Sequence, residues 1–590
     1  MRFLIAIGVF VVAAILLGVG ISQKILFSDP EFVTLQTQVE SDAPYVVIDS
    51  KVLTSHDGLQ SVVVGGAKAN FVGYGRTSDV MAWIGEDDYE TIGYSKKLNK
   101  IAVINKDNEA AASDSAEKAP AAAAEQTITN PSGSDLWVGE AVSEGTATLP
   151  MNLEDGMSVI VASNGVDPAP TKIAVQWPLP SRAPYATAFI LAGGVLALIG
   201  LILYLLALRH MKKQQGPRRR GPKPPKLEQS KPKTLALPSR GRRSIGSGSA
   251  MIAIGVSAAL SLGLTSCSPY ETGQGAATPT PTSTEAPLDE VLIPAVTEAQ
   301  LMRVLRRASK TIADADAAMD STLAATRLTG PALEMRSANY AIRKADSAQA
   351  ALPVVPASPI TLVMPQATDT WPRIVMAVVQ NESDPTVPTT GIVMVQNTPR
   401  DNYHMEYVMA LEPNAEVPEI APATAGSALV QPDSKLLLIA PDKLALAYGD
   451  ILINDTASQY AGLFDTTTDT LIPQVGKTYK DQKKAAVAER ASLEFTQNTG
   501  SGKPLALATL NSGAIVAVSL NEVETVKPTQ AGATVNPEGQ AKALSGQTAS
   551  STGIESTYGL ELVFYVPPLG SDEKIRLLGY SQGLIAAKAL

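Results

Sequence analysis

Two short stretches of this sequence carry residue types that could do covalent chemistry. In Gly579-Tyr580-Ser581-Gln582-Gly583, a serine stands between two glycines after an apolar segment, Lys574–Leu578. Such a serine can attack an ester when a histidine takes its proton and a carboxylate orients that histidine. In Leu264-Thr265-Ser266-Cys267, the only cysteine of the chain follows a leucine and two small residues. With one cysteine, the chain can form no internal disulfide.

The serine stretch is similar to the Gly-x-Ser-x-Gly nucleophile elbow of cutinases, in which the serine lies between a strand and a helix. That resemblance implies an envelope serine hydrolase using Ser581, with a helix over Leu584–Leu590. In that fold the Asp and His of the triad follow the serine, but the seven residues after Gly583 include no Asp, Glu or His. We therefore predict that Ser581 lies in a glycine-flanked turn at the end of a last strand, and that the protein is not an enzyme.

The cysteine stretch resembles the lipobox of bacterial lipoprotein precursors. In that family a diacylglyceryl group alkylates the thiol, and a signal peptidase cuts just before the cysteine. The resemblance implies that Cys267 is the lipidated first residue of a mature product, Cys267–Leu590. Lipoprotein signals normally begin a protein, so two alternatives stay open: an uncleaved third transmembrane helix with an incidental cysteine, and a fusion or mis-joined reading frame.

The segment before this cysteine is strongly basic. Thirteen Lys or Arg residues and one acid, Glu228, lie between Arg209 and Arg243, although the whole chain has a net charge of −9. A basic loop between apolar segments is cytoplasmic by the positive-inside rule and contacts anionic lipid headgroups. An SH3-like partner at Pro222-Lys223-Pro224-Pro225 is the alternative. No aromatic residue interleaves the charges, so we predict no nucleic-acid binding. The residues expected to set the topology include Arg218, Arg219, Arg220, Arg242 and Arg243.

Three apolar segments define the expected topology. Phe3–Ser22 and Tyr185–Leu208 are long enough to cross a bilayer, whereas Ala250–Leu264 is short and suits a signal segment. We predict a multi-pass cell-membrane protein with a cytoplasmic N-terminus; cleavage after the first segment is the alternative. The expected parts are a signal anchor (1–22), an exported β-rich domain (23–183) with a disordered loop (109–126), a transmembrane helix (184–208), a basic cytoplasmic loop (209–249), a transmembrane or lipoprotein signal segment (250–266), a Thr/Pro-rich linker (267–296) and two α+β units (297–440 and 441–590).

Short β-branched or aromatic runs predict the strands of the exported β-rich domain. The glycines of Gly65-Gly66 and Gly73-Tyr74-Gly75 are not followed by a helical pattern, so they indicate turns rather than a nucleotide site. The predicted strands are Tyr45–Ile48, Ser61–Val64, Asn70–Tyr74, Val80–Ile84, Lys100–Ile104, Leu136–Val138, Ser158–Val161 and Lys172–Trp177.

The region after the linker opens with a helix signal. Thr297 and Gln300 form a capping box before apolar residues at helical spacing, and Pro331 suits the first turn of a second helix. A helical pattern recurs over 441–470 and 476–490. Strands are predicted at Ile360–Met364, Arg373–Val379, Gly391–Gln396, His404–Leu411, Lys435–Ile439, Ala491–Phe495, Pro504–Leu510, Ala514–Val523, Tyr558–Val566 and Lys574–Gly579.

Long helices followed by long antiparallel strands occur twice in this region. This order resembles nuclear-transport-factor-2-like or cystatin-like α+β folds. The resemblance implies that a curved sheet wraps a helix and can enclose a pocket. It also implies a scaffold that serves binding more often than catalysis. We therefore expect both exported regions, 23–183 and 267–590, to act in the cell envelope by binding or scaffolding. Their partner would be a protein or a glycan, and an accessory role in envelope transport or assembly is one form of this function.

Charged groups give no cofactor or metal prediction. The three histidines (His56, His210 and His404) lie far apart, and no Cys or His cluster has ligand spacing. Asp314 and Asp316 diverge by about 200° around their helix and cannot share a metal. Solvated surfaces are also the expected state of three other groups: Asp465 with Asp469, Glu86-Asp87-Asp88 with Glu90, and the basic stripe Lys477, Lys480, Lys483 and Lys484, for which phosphate or anionic polymers are the alternative partners.

Overall fold

The structure is a computed structural model. It describes residues 2–26, 32–56, 58–104, 129–153, 156–178, 186–214, 292–382, 384, 386–413 and 415–590. The predicted loop 109–126, residues 215–291 with Cys267, and the five topology arginines lie outside these ranges. The helices in chain order are α1 (Arg2–Leu26), α2 (Ser50–Leu53), α3 (Thr77–Ile84), α4 (Ala186–Gln214), α5 (Glu298–Ala318), α6 (Ser321–Ala325), α7 (Gly330–Ala345), α8 (Pro441–Asn454), α9 (Ile472–Val475), α10 (Lys477–Val487) and α11 (Gly539–Ser545).

Helices α1 and α4 belong to one compact unit. Their segments Leu4–Gln23 and Thr187–Arg209 are long and apolar enough to serve as a signal or transmembrane anchor. A Cβ atom at Gly193 would lie 2.8 Å from the Leu17 side chain, and one at Gly200 would lie 3.3 Å from Phe10. Glycine therefore lets the two helices approach closely at these positions.

The second compact unit contains residues of 29–182 and 290–590. Its first part, which we call the β domain, has two sheets with strand orders β1-β10-β3-β8 and β6-β5-β2-β9-β4-β7. Apolar side chains of both sheets form a shared core that includes Val62, Val159 and Trp177. The strands are β1 (Phe32–Gln38), β2 (Tyr45–Ile48), β3 (Gln60–Gly65), β4 (Asn70–Arg76), β5 (Tyr89–Ser95), β6 (Lys100–Ile104), β7 (Gly139–Ser143), β8 (Ala147–Met151), β9 (Met157–Ala162) and β10 (Lys172–Pro178).

Two predicted strands of the β domain are wrong. Residues 80–84 belong to helix α3, which buries Val80, Trp83 and Ile84 at spacings of three and one. Such a short apolar run fits a strand and a helical turn equally well. Residues 136–138 form no strand, and their backbone carbonyls instead accept hydrogen bonds from side chains of α5.

The second part of this unit, residues 292–590, is called the C-terminal domain here. Its first helix begins as predicted. Thr297 Oγ1 accepts a hydrogen bond from the Gln300 N–H, and the Gln300 side chain accepts one from the Thr297 N–H at 3.0 Å. Helix α7 begins at Gly330 and has Pro331 in its first turn.

The C-terminal domain is mixed α/β with a large antiparallel sheet. The sheet has nine strands in the order β11-β12-β13-β14-β19-β18-β17-β15, and β16 pairs with β17. Among the described strands, β14 of one half pairs with β19 of the other over Ala410–Leu411 and Gly579–Tyr580. The strands are β11 (Ile360–Pro365), β12 (Arg373–Val379), β13 (Thr390–Gln396), β14 (His404–Leu411), β15 (Ala491–Thr499), β16 (Leu505–Ala508), β17 (Ala514–Pro528), β18 (Ile554–Val566) and β19 (Arg576–Ala589).

Alternate residues of these strands point to opposite faces of the sheet and belong to different hydrophobic cores. The domain is therefore layered. In β12, Val375 faces helices α5 and α7, whereas Met376 faces the other half of the sheet. In β17, Ile515 packs against the first half, whereas Val516 packs against α8. The two half-sheets therefore lie face to face between two helical layers. Strands buried on both faces read as continuous apolar runs, so sequence periodicity could not show this arrangement.

Three further predictions in this domain are wrong. Residues 435–439 form no strand, although Leu437 makes one isolated bridge to Pro568. The helix predicted over 441–470 ends at Asn454, because Asp455 takes a positive φ of 54°. The helix predicted over 584–590 does not form, since β19 continues to Ala589.

The joint between the half-sheets explains why Gly579 is a glycine. A Cβ atom there would lie 2.5 Å from the Ala410 carbonyl oxygen, whereas one at Gly583 would meet the flexible Met335 side chain at 3.2 Å. We predict that Gly579→Ala lowers the free energy of unfolding by about 1–3 kcal/mol, because backbone atoms must move. Gly583→Ala is the matched control and should cost less than about 1 kcal/mol. Urea unfolding checks both, and equal losses would contradict this reason for the glycine.

Candidate functional site

Ser581 does not lie on a nucleophile elbow. It is in the interior of β19, opposite Glu561 of β18. The prediction of a turn at this point is therefore also wrong. Ser581 and Glu561 line a cavity of about 300 Å³ together with residues of α7 and β14.

No histidine is among the described residues that line this cavity. Of the described histidine side chains, His56 is in the β domain, where its ring lies 4.8 Å from that of Trp177. His404 is the first residue of β14, and burial lowers its pKa. Neither of these two lines the cavity. Ser581 therefore has no histidine base among the described residues that line this cavity.

The buried carboxyl of Glu561 is the unusual group of this cavity. Glu561 is 1% exposed, and its Oε2 accepts a hydrogen bond from the Val408 N–H at 2.6 Å. Burial raises its pKa to about 8, so the carboxyl is protonated at neutral pH.

The aspartates on the predicted helices contact separate partners rather than one another. Asp316 binds Arg336 and Tyr340, Asp314 binds Lys310, and Asp320 caps α6. Asp465 and Asp469 lie after α8 in loop structure, where Asp469 accepts a hydrogen bond from Tyr448. No group of three or more His, Cys, Asp or Glu residues that could hold a metal occurs in the part of the chain that the structure describes.

The lysine stripe of α10 is largely neutralised. Lys480 is buried and lies 2.6 Å from Glu522, and Lys483 lies 2.5 Å from Glu524. Lys477 forms an ion pair with Asp481. Of the four, Lys484 has no carboxylate partner among the described residues, and its ammonium lies 5.6 Å from the Phe495 ring centroid. This helix therefore offers little free charge to an anionic ligand.

The most extensive polar site joins the β domain to the C-terminal domain, and we call it the ionic interface. At one end, Asp79 of α3 accepts a hydrogen bond from Arg373 Nη2 at 2.6 Å and another from Arg76 Nε at 2.9 Å. Asp79 and Arg373 are each 1% exposed. The Arg373 guanidinium also lies 3.7 Å from the centroid of the Trp371 ring, which packs against the β domain.

At the other end, Asp135 of the β domain is the central acceptor. It is 1% exposed and forms an ion pair with Arg327. Its Oδ2 also accepts the Tyr403 N–H at 3.0 Å, and its own N–H donates to Asn402 Oδ1 at 3.0 Å. Backbone and side chain of Asp135 are therefore both bound by the C-terminal domain.

Between these two ends, side chains on one face of α5 donate hydrogen bonds to backbone carbonyls of the β domain. Gln300 donates to the Leu136 carbonyl at 2.9 Å, and Arg303 donates to the Val138 carbonyl at 2.8 Å. Arg307, one turn further along, forms an ion pair with Glu140. Spacings of three and four residues place these side chains on one side of the helix. Burial and the nearby Arg307 lower the pKa of Arg303.

Arg400 completes the interface at the C-terminal end of α3. It donates to the Trp83 carbonyl at 2.7 Å, the Ile84 carbonyl at 2.9 Å and Asp87 at 2.6 Å. A cation at this end also compensates the unpaired carbonyls of the helix. The predicted acidic surface at residues 86–90 is thus partly an arginine-binding site.

This interface could hardly be predicted from local sequence patterns. Its paired residues are separated by between 164 and 317 positions along the chain. The one available signal was that Arg303 and Arg307 lie on the polar face of an otherwise amphipathic helix, and that face is usually solvated.

A family model described as "Domain of unknown function (DUF8094)" matches residues 292–589, which is almost the whole C-terminal domain. No curated protein matches the chain, and no solved structure does.

The ionic interface predicts a strong effect of one buried charge. Asp79→Asn leaves Arg373 buried without its counter-charge, and we expect it to lower the free energy of unfolding by about 3 kcal/mol. Asp314→Asn breaks an exposed ion pair and should cost less than about 1 kcal/mol. Urea titrations followed by tryptophan fluorescence compare the two, since Trp83 and Trp137 lie beside the interface. Equal midpoints for Asp79→Asn and the parent protein would contradict this energetic role.

Proposed function

The chain belongs to the DUF8094 family, whose description assigns no activity, and from its geometry we propose a non-catalytic cell-envelope protein that acts by binding or scaffolding. The ionic interface carries this proposal. It joins the β domain and the C-terminal domain into one body, although the basic segment separates them in sequence. A partner could then bind a surface that both domains form. The partner would be an envelope protein or a glycan, as in an accessory subunit for envelope transport or assembly.

The proposed membrane topology has the N-terminus and loop 209–249 in the cytoplasm. Two apolar helices, α1 and α4, flank the β domain in sequence and support this arrangement. The thirteen basic residues between Arg209 and Arg243 support it as well, because such a loop is retained on the cytoplasmic side. Residues 23–183 and 267–590 would then both be extracytoplasmic, which agrees with their mutual contact.

Lipidation at Cys267 belongs to the same proposal. The lipobox-like Leu264-Thr265-Ser266-Cys267 follows a basic and an apolar segment, and Thr- and Pro-rich residues follow it. Cleavage before Cys267 would break the covalent connection between the two exported domains. The ionic interface would then be the contact that keeps them together.

A nuclear-transport-factor-2-like or cystatin-like architecture for the two α+β halves also remains a proposal. Its support is that helices precede antiparallel strands in each half of the C-terminal domain. The face-to-face packing of the half-sheets is an additional feature that the resemblance did not imply.

Processing at Cys267 can be tested on the full-length protein carrying a C-terminal tag. In membranes of a lipoprotein-processing bacterium, mass spectrometry should find a diacylglyceryl thioether on Cys267 at a new N-terminus. Affinity purification should also recover residues 1–266 with the tagged product, because the ionic interface joins them. Cys267→Ala should remain one unmodified chain. An intact parent chain with a free thiol would contradict lipidation, and recovery of the tagged product alone would contradict the scaffold.

The alternative, an envelope hydrolase using Ser581, has a direct test. We expect Ser581→Ala to leave the rate of p-nitrophenyl butyrate hydrolysis unchanged, because no described histidine lines its cavity and the neighbouring Glu561 carboxyl is protonated at neutral pH. The exposed neighbour Gln582 supplies the control variant Gln582→Ala. An active parent protein that loses turnover only in Ser581→Ala would overturn the non-catalytic assignment.

A further inference from the structure

The cavity beside Ser581 arises where two strands separate. Strands β14 and β19 pair over Ala410–Leu411 and Gly579–Tyr580, and the pairing does not extend toward Val408. Two residues before this joint in β14, the Val408 N–H donates to the Glu561 side chain. The cavity of about 300 Å³ opens at this fork and is covered by α7. It is therefore a consequence of how the two half-sheets are joined.

Two polar groups of the cavity have unused hydrogen-bonding capacity. One carboxyl oxygen of Glu561 accepts the Val408 N–H, and the other has no hydrogen-bond partner within the described ranges. The Ser581 hydroxyl likewise has none there, although both residues line the cavity. Glu561 is 1% exposed, so bulk water does not readily replace the missing partner. Ser581 is half-buried and can also reach water, whereas a ligand in the cavity would supply a partner to both groups.

The remaining walls are mainly apolar. Ala332 and Met335 of α7 and Leu328 are buried around the cavity, while the exposed Pro353, Val354 and Pro388 form its mouth. Arg336 also lines it, but its guanidinium is held by Asp316 and the Pro353 carbonyl. An apolar cavity of this size with a few polar groups at one place is typical of small-molecule sites.

We infer that this cavity binds a neutral amphiphile of medium length, whose apolar chain fills it and whose hydroxyl or carbonyl oxygen bonds to Glu561 and Ser581. The inference rests on the proposed binding function and names its ligand class. The apolar chain enters between Pro353 and Pro388, and the polar head lies at the fork of the strands.

The charge state of Glu561 selects a neutral head group. Burial raises its pKa to about 8, Arg336 opposes this rise and Glu334 adds to it. Both of these charged residues lie on α7. At pH 7 the carboxyl therefore carries its proton and donates to an oxygen acceptor. A carboxylate ligand would bury an unpaired charge, and an ammonium ligand would require the proton of Glu561 to leave first.

The test uses full-length protein in lipid nanodiscs, because detergent monomers have the same chemistry as the ligand. The Met335 methyl group lines the cavity, and its ¹³C-methyl NMR signal, identified with Met335→Leu, reports occupancy. Titrations with 1-octanol, octanoate and octylammonium at pH 6.5 compare three head groups on one chain. We expect 1-octanol to bind about threefold or more tightly than the two ions.

Two variants separate this site from general partition into the bilayer. Ala332→Phe fills the cavity and should abolish the octanol-dependent shift. In the parent protein, raising the pH from 6.5 to 9 should weaken binding of 2-octanone about tenfold, because its carbonyl can only accept a hydrogen bond and Glu561 loses its donor proton. Glu561→Gln keeps an N–H donor and should bind equally at both pH values.

Three results would overturn the inference. They are an unmoved Met335 signal, tighter binding of octylammonium than of 1-octanol, and an equal pH dependence in Glu561→Gln. None of them would affect the co-purification of residues 1–266 with the C-terminal product. A failure of this inference is therefore distinguishable from a failure of the proposed scaffold.

Discussion

Two buried carboxylates, Asp79 and Asp135, constrain the arrangement of the larger compact unit. Both belong to the β domain, and the C-terminal domain supplies their main cationic partners, Arg373 and Arg327. A carboxylate at this depth is not tolerated without a paired charge and hydrogen bonds. The β domain alone would therefore carry an uncompensated surface, and its docking on the C-terminal domain removes this penalty. The two domains are better regarded as halves of one structure than as separate modules joined by a linker.

Ion pairs at this interface favour specificity over raw stability. Desolvation offsets much of the Coulomb attraction of a buried pair, but any misplaced arrangement leaves a charge unpaired. Arg303 and Arg400 add to this selectivity because they bind backbone carbonyls, whose positions depend on the exact path of the chain. Such an interface suits a junction that must re-form correctly after the connecting chain is cut. This requirement would arise if Cys267 were processed as its sequence context suggests.

Local signals predicted the elements well, and tertiary contacts decided the rest. The capping box of Thr297 and Gln300 and the strands Arg373–Val379 and His404–Leu411 were predictable because they depend on neighbouring residues. Strand β19 was mistaken for a strand, turn and helix, because Gly579 and Gly583 look like turn residues. Gly579 is instead required by the close approach of β14, a contact formed across about 170 residues. The cavity at Glu561 was unpredictable for the same reason, since it exists only where distant strands separate.

Amide hydrogen exchange measures whether the β domain and the C-terminal domain form one body. The backbone N–H groups of Asp135 and Tyr403 both donate across the ionic interface, one from each domain. In the full-length protein at equilibrium, we expect both amides to exchange at least about 100-fold more slowly than exposed amides. Arg327→Gln removes the charge bound to Asp135 and should speed the exchange of both amides together. Fast exchange of both amides in the parent protein would contradict the claim that these domains form one body.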